Sequence, residues 1–286
     1  MIRTILILLF PVFAFGQQGM LLVSSPADGL LLDDYSGASA AYSVRLLRTG
    51  ADSCMVIRRS SDDATTLIGF SGNDIDESAI TTFCSGTDCF VVRWCDQSGN
   101  GNDAVQATAA YQPQIAENGV VVKENEKAAL SFDGSNYLGI SGVNQTPPTD
   151  ITVAAIRSFS TYPLNYATLF NWRLYGITYA DEGAVNYADM HVFKASNASG
   201  LVSDYPKTTG QSIDFVYNTE SVHRNGVNQT VTAGGNYSVG VSAIGSWKNL
   251  SQTFEGGVQS IIIWESDQSS NRTGIETNIN NYFSIY

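Results

Sequence analysis

The chain has 286 residues, with 27 acidic against 15 basic side chains and a formal net charge of −12. Only 15% of residues are charged while 43% are hydrophobic and 11% aromatic, a balance that excludes an intrinsically disordered chain. No cluster of Lys and Arg occurs, which excludes the basic footprint of a nucleic-acid binder or of a protein held on an anionic membrane.

Met1-Ile2-Arg3 gives a short basic start, and Thr4 to Phe15 is apolar. Ala14 and Gly16 then supply small residues ahead of polar Gln17-Gln18. This pattern predicts a secretory signal peptide over 1–16. A membrane-spanning helix needs about 20 apolar residues, more than this run holds. With no second apolar run, the mature protein is expected to be exported, periplasmic or secreted, with no membrane insertion and as a monomer. All-β sandwiches reach about 200–250 residues as one domain, so the rest divides into a lead-in over 17–33 and a single domain over 34–286.

Residues 35–48 are rich in small side chains and predict a helix-like or turn segment. From Cys54 onward the hydrophobic period shifts to two. Short β-rich runs follow at 55–59, 90–94, 120–122, 130–132, 151–156, 167–170, 189–193, 214–217, 221–223, 229–232 and 259–264. Turn clusters at 98–102, Asp133-Gly134, Asn225-Gly226 and 234–236 separate them, and Asn225-Gly226 between β-runs is the strongest hairpin signal. Helix is otherwise sparse, expected at 74–83, where acidic residues precede an apolar face of Ile75, Ala79, Ile80 and Phe83, and at 270–282.

Cys54, Cys84, Cys89 and Cys95 are the chain's four cysteines. Export and an even count favour disulfides, with three connectivities possible. A zinc site would want C-x2-C spacing or a nearby His, and neither is present. The favoured pairing closes the short loop with Cys84–Cys89 and leaves Cys54–Cys95.

Two histidines, His191 and His223, leave little choice of base for a nucleophilic triad, and no nucleophile elbow, zincin or phosphate-loop motif occurs. Asp181, Glu182 and Asp189 are close in sequence, but acids in the loops of so acidic a chain are ordinarily solvated. Asp96, Asn100 and Asn102 sit in a glycine-rich loop that could hold calcium. The spacing misses the EF-hand register, and an Asx-stabilised turn is the simpler expectation. The expected cofactor is therefore none, with Ca2+ as the alternative. Trp172, Tyr175, Tyr179, Tyr187 and Trp247 fall in turn-rich stretches and, with Asn249, suit glycan recognition, in which ring faces pack on sugar C–H faces. Trp94 and Trp264 lie inside strong strands and are assigned to the core.

The string from Asp34 to Arg48, then Arg58 to Asp63, Phe83-Cys84 with Cys89, and Trp94-Cys-Asp-Gln-Ser-Gly-Asn-Gly-Asn-Asp103 resembles the catalytic domain of family-54 α-L-arabinofuranosidases (arabinofuranosidase B). Leu130-Ser-Phe-Asp-Gly134, Val222-His-Arg-Asn-Gly226 and Phe254-Glu-Gly-Gly-Val258 are similar to LamG-like jelly rolls. The resemblance implies an all-β, concanavalin A-like jelly-roll β-sandwich with one or two short helices. It also implies a glycan or polysaccharide partner. In the family a Glu nucleophile follows an Asp-Met pair, and here Asp189-Met190 is followed by His191. The family's acid/base Asp lies in a loop that here reads Ile244-Gly-Ser-Trp-Lys-Asn249, without Asp, and its adjacent cysteines are missing from 166–170.

Since a retaining mechanism needs two carboxyls, the expected function is glycan binding without cleavage, with Trp172, Asp189, His191, Trp247 and Asn249 lining the cleft. The alternatives are an active α-L-arabinofuranosidase using Asp189, Glu182 or Glu255, and a structural or adhesin-like surface module.

Overall fold

Residues 255–264 run Glu-Gly-Gly-Val-Gln-Ser-Ile-Ile-Ile-Trp, and in the computed structural model they form a ten-residue strand buried at its last eight positions. A strand buried on both faces reads as a continuous apolar run, as this one does. It pairs antiparallel with Thr152–Phe159 on one edge. On the other edge it pairs with Ala40–Ser43 and then with Leu130–Asp133. The described residues are 29–143, 146, 148–159, 167–180, 187–194, 198–206, 210–233, 242–246 and 253–286. The expected signal peptide lies outside them.

The layer continues from Thr152–Phe159 to Gly210–Tyr217, and from there to the hairpin Ser221–Arg224 and Val227–Gln229. Asn225 and Gly226 make its turn with φ of 48° and 76°, the left-handed pair that a two-residue hairpin demands. Leu130–Asp133 leads through Gln114–Glu117 to Cys89–Trp94. The Cys89–Trp94 strand serves both layers, because its far end pairs with Ala104–Val105. From there the second layer runs through Leu138–Ile140 and Ala243–Ile244 to Ala167–Trp172, Tyr175–Ala180, Tyr187–Lys194 and Ala198–Pro206. The protein is an all-β jelly-roll sandwich. Trp94 and Trp264 are fully buried in it, as expected.

Helix α1 is a single turn, Leu31–Asp34. Part of the expected helix-like or turn segment that follows is instead a strand at Ala40–Ser43, buried at all four positions and held by its pairing with the central strand. Helix α2 spans Glu77–Phe83 rather than 74–83, because Asp76 caps it by accepting the Ala79 N–H at 2.9 Å. Asp74–Ile75 pairs with Phe70–Ser71 instead. Helix α3, Arg272–Phe283, buries Ile275, Ile279 and Phe283.

Cys84 and Cys89 form the expected disulfide. Cys54 and Cys95 do not, and remain buried free thiols. Each flanks one of the paired strands Met55–Arg59 and Cys89–Trp94, and the Cys95 N–H donates to the Cys54 carbonyl at 2.9 Å. The backbones are neighbours, yet the Cys54 thiol turns to the Ser43 carbonyl at 3.3 Å.

Candidate functional site

Three consecutive strands build the site: Ala167–Trp172, Tyr175–Ala180 and Tyr187–Lys194. Alternation sends Tyr175, Ile177, Tyr179, Met190 and Val192 into the core between the layers, all fully buried. The opposite face carries a polar row. Thr178 stands across from Thr168 on one side and His191 on the other, and the two threonine hydroxyls meet at 3.0 Å. Thr168 also forms a parallel bridge with Thr253, two residues before the central strand begins. Thr168, Thr178 and His191 are buried, although the face is polar. The stretches 160–166, 181–186 and 247–252, which run into the strands at this end, lie outside the described residues.

Beneath the row, Arg157 and Asp214 form a fully buried ion pair at 3.0 Å. Tyr179 donates its hydroxyl to the same Asp214 oxygen. The Arg157 guanidinium lies 4.5 Å from the Phe159 ring centre and 4.8 Å from that of Tyr179. This charged layer fixes the strand that carries Thr178 against the opposite sheet.

The expected site residues divide. His191 lies in the row. Asp189 is two positions before it on the same strand, opposite Ala180. Glu182, Trp247 and Asn249 lie outside the described residues. Glu255 is exposed at the start of the central strand, opposite Asp133, whose carboxylate already accepts from the Ser135 N–H and hydroxyl.

Trp172 does not line a cleft. It is 1% exposed, and its indole N–H donates to Glu265 at 2.9 Å. The turn after it is only Arg173-Leu174, both at positive φ, so Trp172 and Tyr175 close a tight hairpin. A turn-rich neighbourhood therefore concealed a core position. Thr168 and Thr178 went unnoticed because a threonine between apolar residues is an ordinary strand pattern. Their signal is that both fall opposite one another once the hairpin register is fixed.

In the Asp96 loop the polar side chains bond to the chain itself. The Asp96 carboxylate accepts from the Ala41 N–H, the Ser98 N–H and hydroxyl, and the Asn102 N–H, at 2.8 to 3.0 Å. Asn100 and Asn102 direct their amide N–H groups to the Ser39 carbonyl. The loop is an Asx-type turn that anchors the chain before the first strand. Among the described residues no three His, Cys, Asp or Glu side chains converge as metal ligands.

The profile of the family described as "Alpha-L-arabinofuranosidase B, catalytic" matches residues 35–146. The chain resembles the catalytic domain of arabinofuranosidase B. The α-L-arabinofuranosidases B of Aspergillus niger and Aspergillus kawachii are 47% identical to it over 53 residues, which is 18% of this chain and 11% of theirs. A solved arabinofuranosidase complexed with arabinofuranosyl-α-1,2-xylobiose superposes with a TM-score of 0.62 at 18% identity. A family-54 α-L-arabinofuranosidase soaked with a cyclic sulfate inhibitor gives 0.61 at 17%. Each match covers 88% of this chain and 64% of the other. These likenesses establish the shared fold, and the sequence match concentrates in the half that holds the disulfide and the Asp96 loop rather than the polar row.

Proposed function

We propose that this chain is an exported, carbohydrate-binding jelly roll related to the arabinofuranosidases but lacking their retaining carboxylate pair. The observation that carries this reading is His191. It follows Asp189-Met190 on the strand where the family resemblance puts the nucleophilic Glu, and it sits buried in a row whose other members are threonines. Retention requires two carboxyls about 5 Å apart across the scissile bond. The described row carries an imidazole and two hydroxyls and no carboxyl. Glu255, the described alternative acid, is exposed two positions beyond the bridge that Thr253 makes to the row.

The second reading is an active glycosidase using Asp189 or Glu182, and it is supported by the closeness of both to this row in the sequence. Purified mature protein assayed on an aryl α-L-arabinofuranoside and on a glycan array separates the two. Glycan retention that falls on His191→Ala, without turnover, supports binding. Turnover lost in Asp189→Asn or Glu255→Gln would establish the enzyme. Neither retention nor turnover would leave a structural or adhesin-like module.

A further inference from the structure

A cavity, apart from the polar row, opens between the start of the described chain, the hairpin of Phe70–Ser71 and Asp74–Ile75, and helix α3. Its volume is about 410 Å³, and Leu30, Arg45, Asn73, Asn278, Asn281 and Tyr282 form most of its wall. That volume is ordinary for a small-molecule site.

Arg45 sets its chemistry. The residue is 5% exposed. Its guanidinium donates to the Asn278 carbonyl at 3.1 Å and to the Asn278 side-chain oxygen, and it lies 4.9 Å from the Tyr282 ring centre. All these partners are neutral. Among the described residues no carboxylate forms an ion pair with it. The nearest acid in the backbone register, Asp74, is held by Lys127 at 2.9 Å and by the Tyr282 hydroxyl. Asp34, beside Gly29 at the mouth, is exposed. Burial lowers the Arg45 pKa to about 10, which leaves it a cation at neutral pH. A buried charge is ordinarily matched by an opposite one, and with Nη1 and Nη2 each giving one hydrogen to Asn278, the other three of the guanidinium's five are left to meet a carboxylate. Asn73 and Asn281 are exposed at the rim. A carboxamide offers both a donor and an acceptor, which is what a sugar hydroxyl needs.

We propose that this pocket is a ligand site for a carboxylate-bearing sugar, a hexuronate or a chain ending in one, with the carboxylate on Arg45 and ring hydroxyls on Asn73 and Asn281. The site is independent of the polar row, so it stands or falls separately from the proposed cleft.

The test is calorimetric titration of the full mature chain with galacturonate and glucuronate, set beside galactose, glucose and inorganic phosphate. Binding of uronates with neutral sugars and phosphate at least tenfold weaker is the expected result, a factor of about 1.4 kcal/mol. Equal binding of neutral sugars, equal binding of phosphate, or no uronate binding at tens of millimolar each overturns the proposal. Arg45→Met should abolish uronate binding. Because that change strips Asn278 of a buried partner and the variant can fail to fold, Asn281→Leu at the exposed rim is the companion. It should retain the wild-type melting temperature and weaken uronate binding roughly tenfold, the loss of one hydrogen bond. Unchanged affinity in a folded Asn281→Leu and Asn73→Leu pair also overturns the assignment.

Discussion

Arg157 and Asp214 face each other at 3.0 Å from adjacent strands of one layer, with neither side chain exposed. Truncation takes a buried ionic partner from the Arg157 guanidinium, so Asp214→Ala should cost about 3–5 kcal/mol. It also removes the acceptor of the Tyr179 hydroxyl. Replacing both members together, as in Arg157→Met with Asp214→Leu, should cost less than Asp214→Ala alone. Urea unfolding of the three variants checks this, and a double variant less stable than Asp214→Ala would contradict it.

Trp172 and the polar row make opposite predictions about ligand. Trp172→Ala should lose about 3–5 kcal/mol of stability, since the ring is buried and its N–H is bonded to Glu265. Trp172→Phe, which keeps most of the packing, should leave glycan affinity unchanged. His191→Ala should do the reverse, reducing glycan retention more than stability. Thermal melts run beside a glycan-binding assay give both readouts. An affinity that tracks Trp172 would restore that residue to the cleft.

The contrast between Trp172 and His191 shows what the sequence could carry. Alternation with turn residues between the runs was enough for the sandwich, because half-buried strands must alternate and hairpins need left-handed turn residues such as Asn225-Gly226. Trp94 and Trp264 were legible as core because strong strands surround them. Trp172 was not, because burial at a hairpin end depends on which face the tight Arg173-Leu174 turn presents. The Ala40–Ser43 strand was missed for a related reason. Four small or mixed side chains have no period of their own, and their conformation is set by the central strand they pair with. The separation of Cys54 from Cys95 depended on side-chain direction, which spacing does not encode.

Disulfide mapping should find one bond, Cys84–Cys89, and two thiols. Burial and the nearby Cys95 push the Cys54 thiol well above its usual range. Burial and the charge of Asp103 raise Cys95 to about 11. The thiolate is the reactive form, so both should alkylate slowly with iodoacetamide at neutral pH and quickly once the protein is unfolded. Rapid labelling of the native protein would mean that the strand edge carrying them opens readily.

Asp96→Ala should destabilise the loop by more than a typical surface change, because the carboxylate accepts from Ala41, from Asn102 and twice from Ser98. Asp96→Asn should be nearly as harmful, since one of its two acceptor atoms becomes a donor facing donors. With both oxygens occupied, the melting temperature of the wild type should be the same in Ca2+ and in a chelator. A calcium-dependent rise would show that the loop rearranges to hold the ion.

Glu276 on helix α3 has its pKa raised, first by burial, which outweighs the opposing Arg272 charge and hydrogen bond. A carboxyl whose folded pKa is raised contributes stability that is fully present below its unfolded value of about 4.3, and that is lost as pH rises through the folded value. Glu276→Gln removes the ionisation while keeping a hydrogen-bonding side chain against Arg272. The variant should therefore match the wild type in mildly acidic solution and lose less stability toward neutral pH. Melting temperatures of both proteins across that range measure the difference directly. If the wild type instead gains on the variant as pH rises, the Arg272 pair outweighs burial and the carboxylate is the stabilising form.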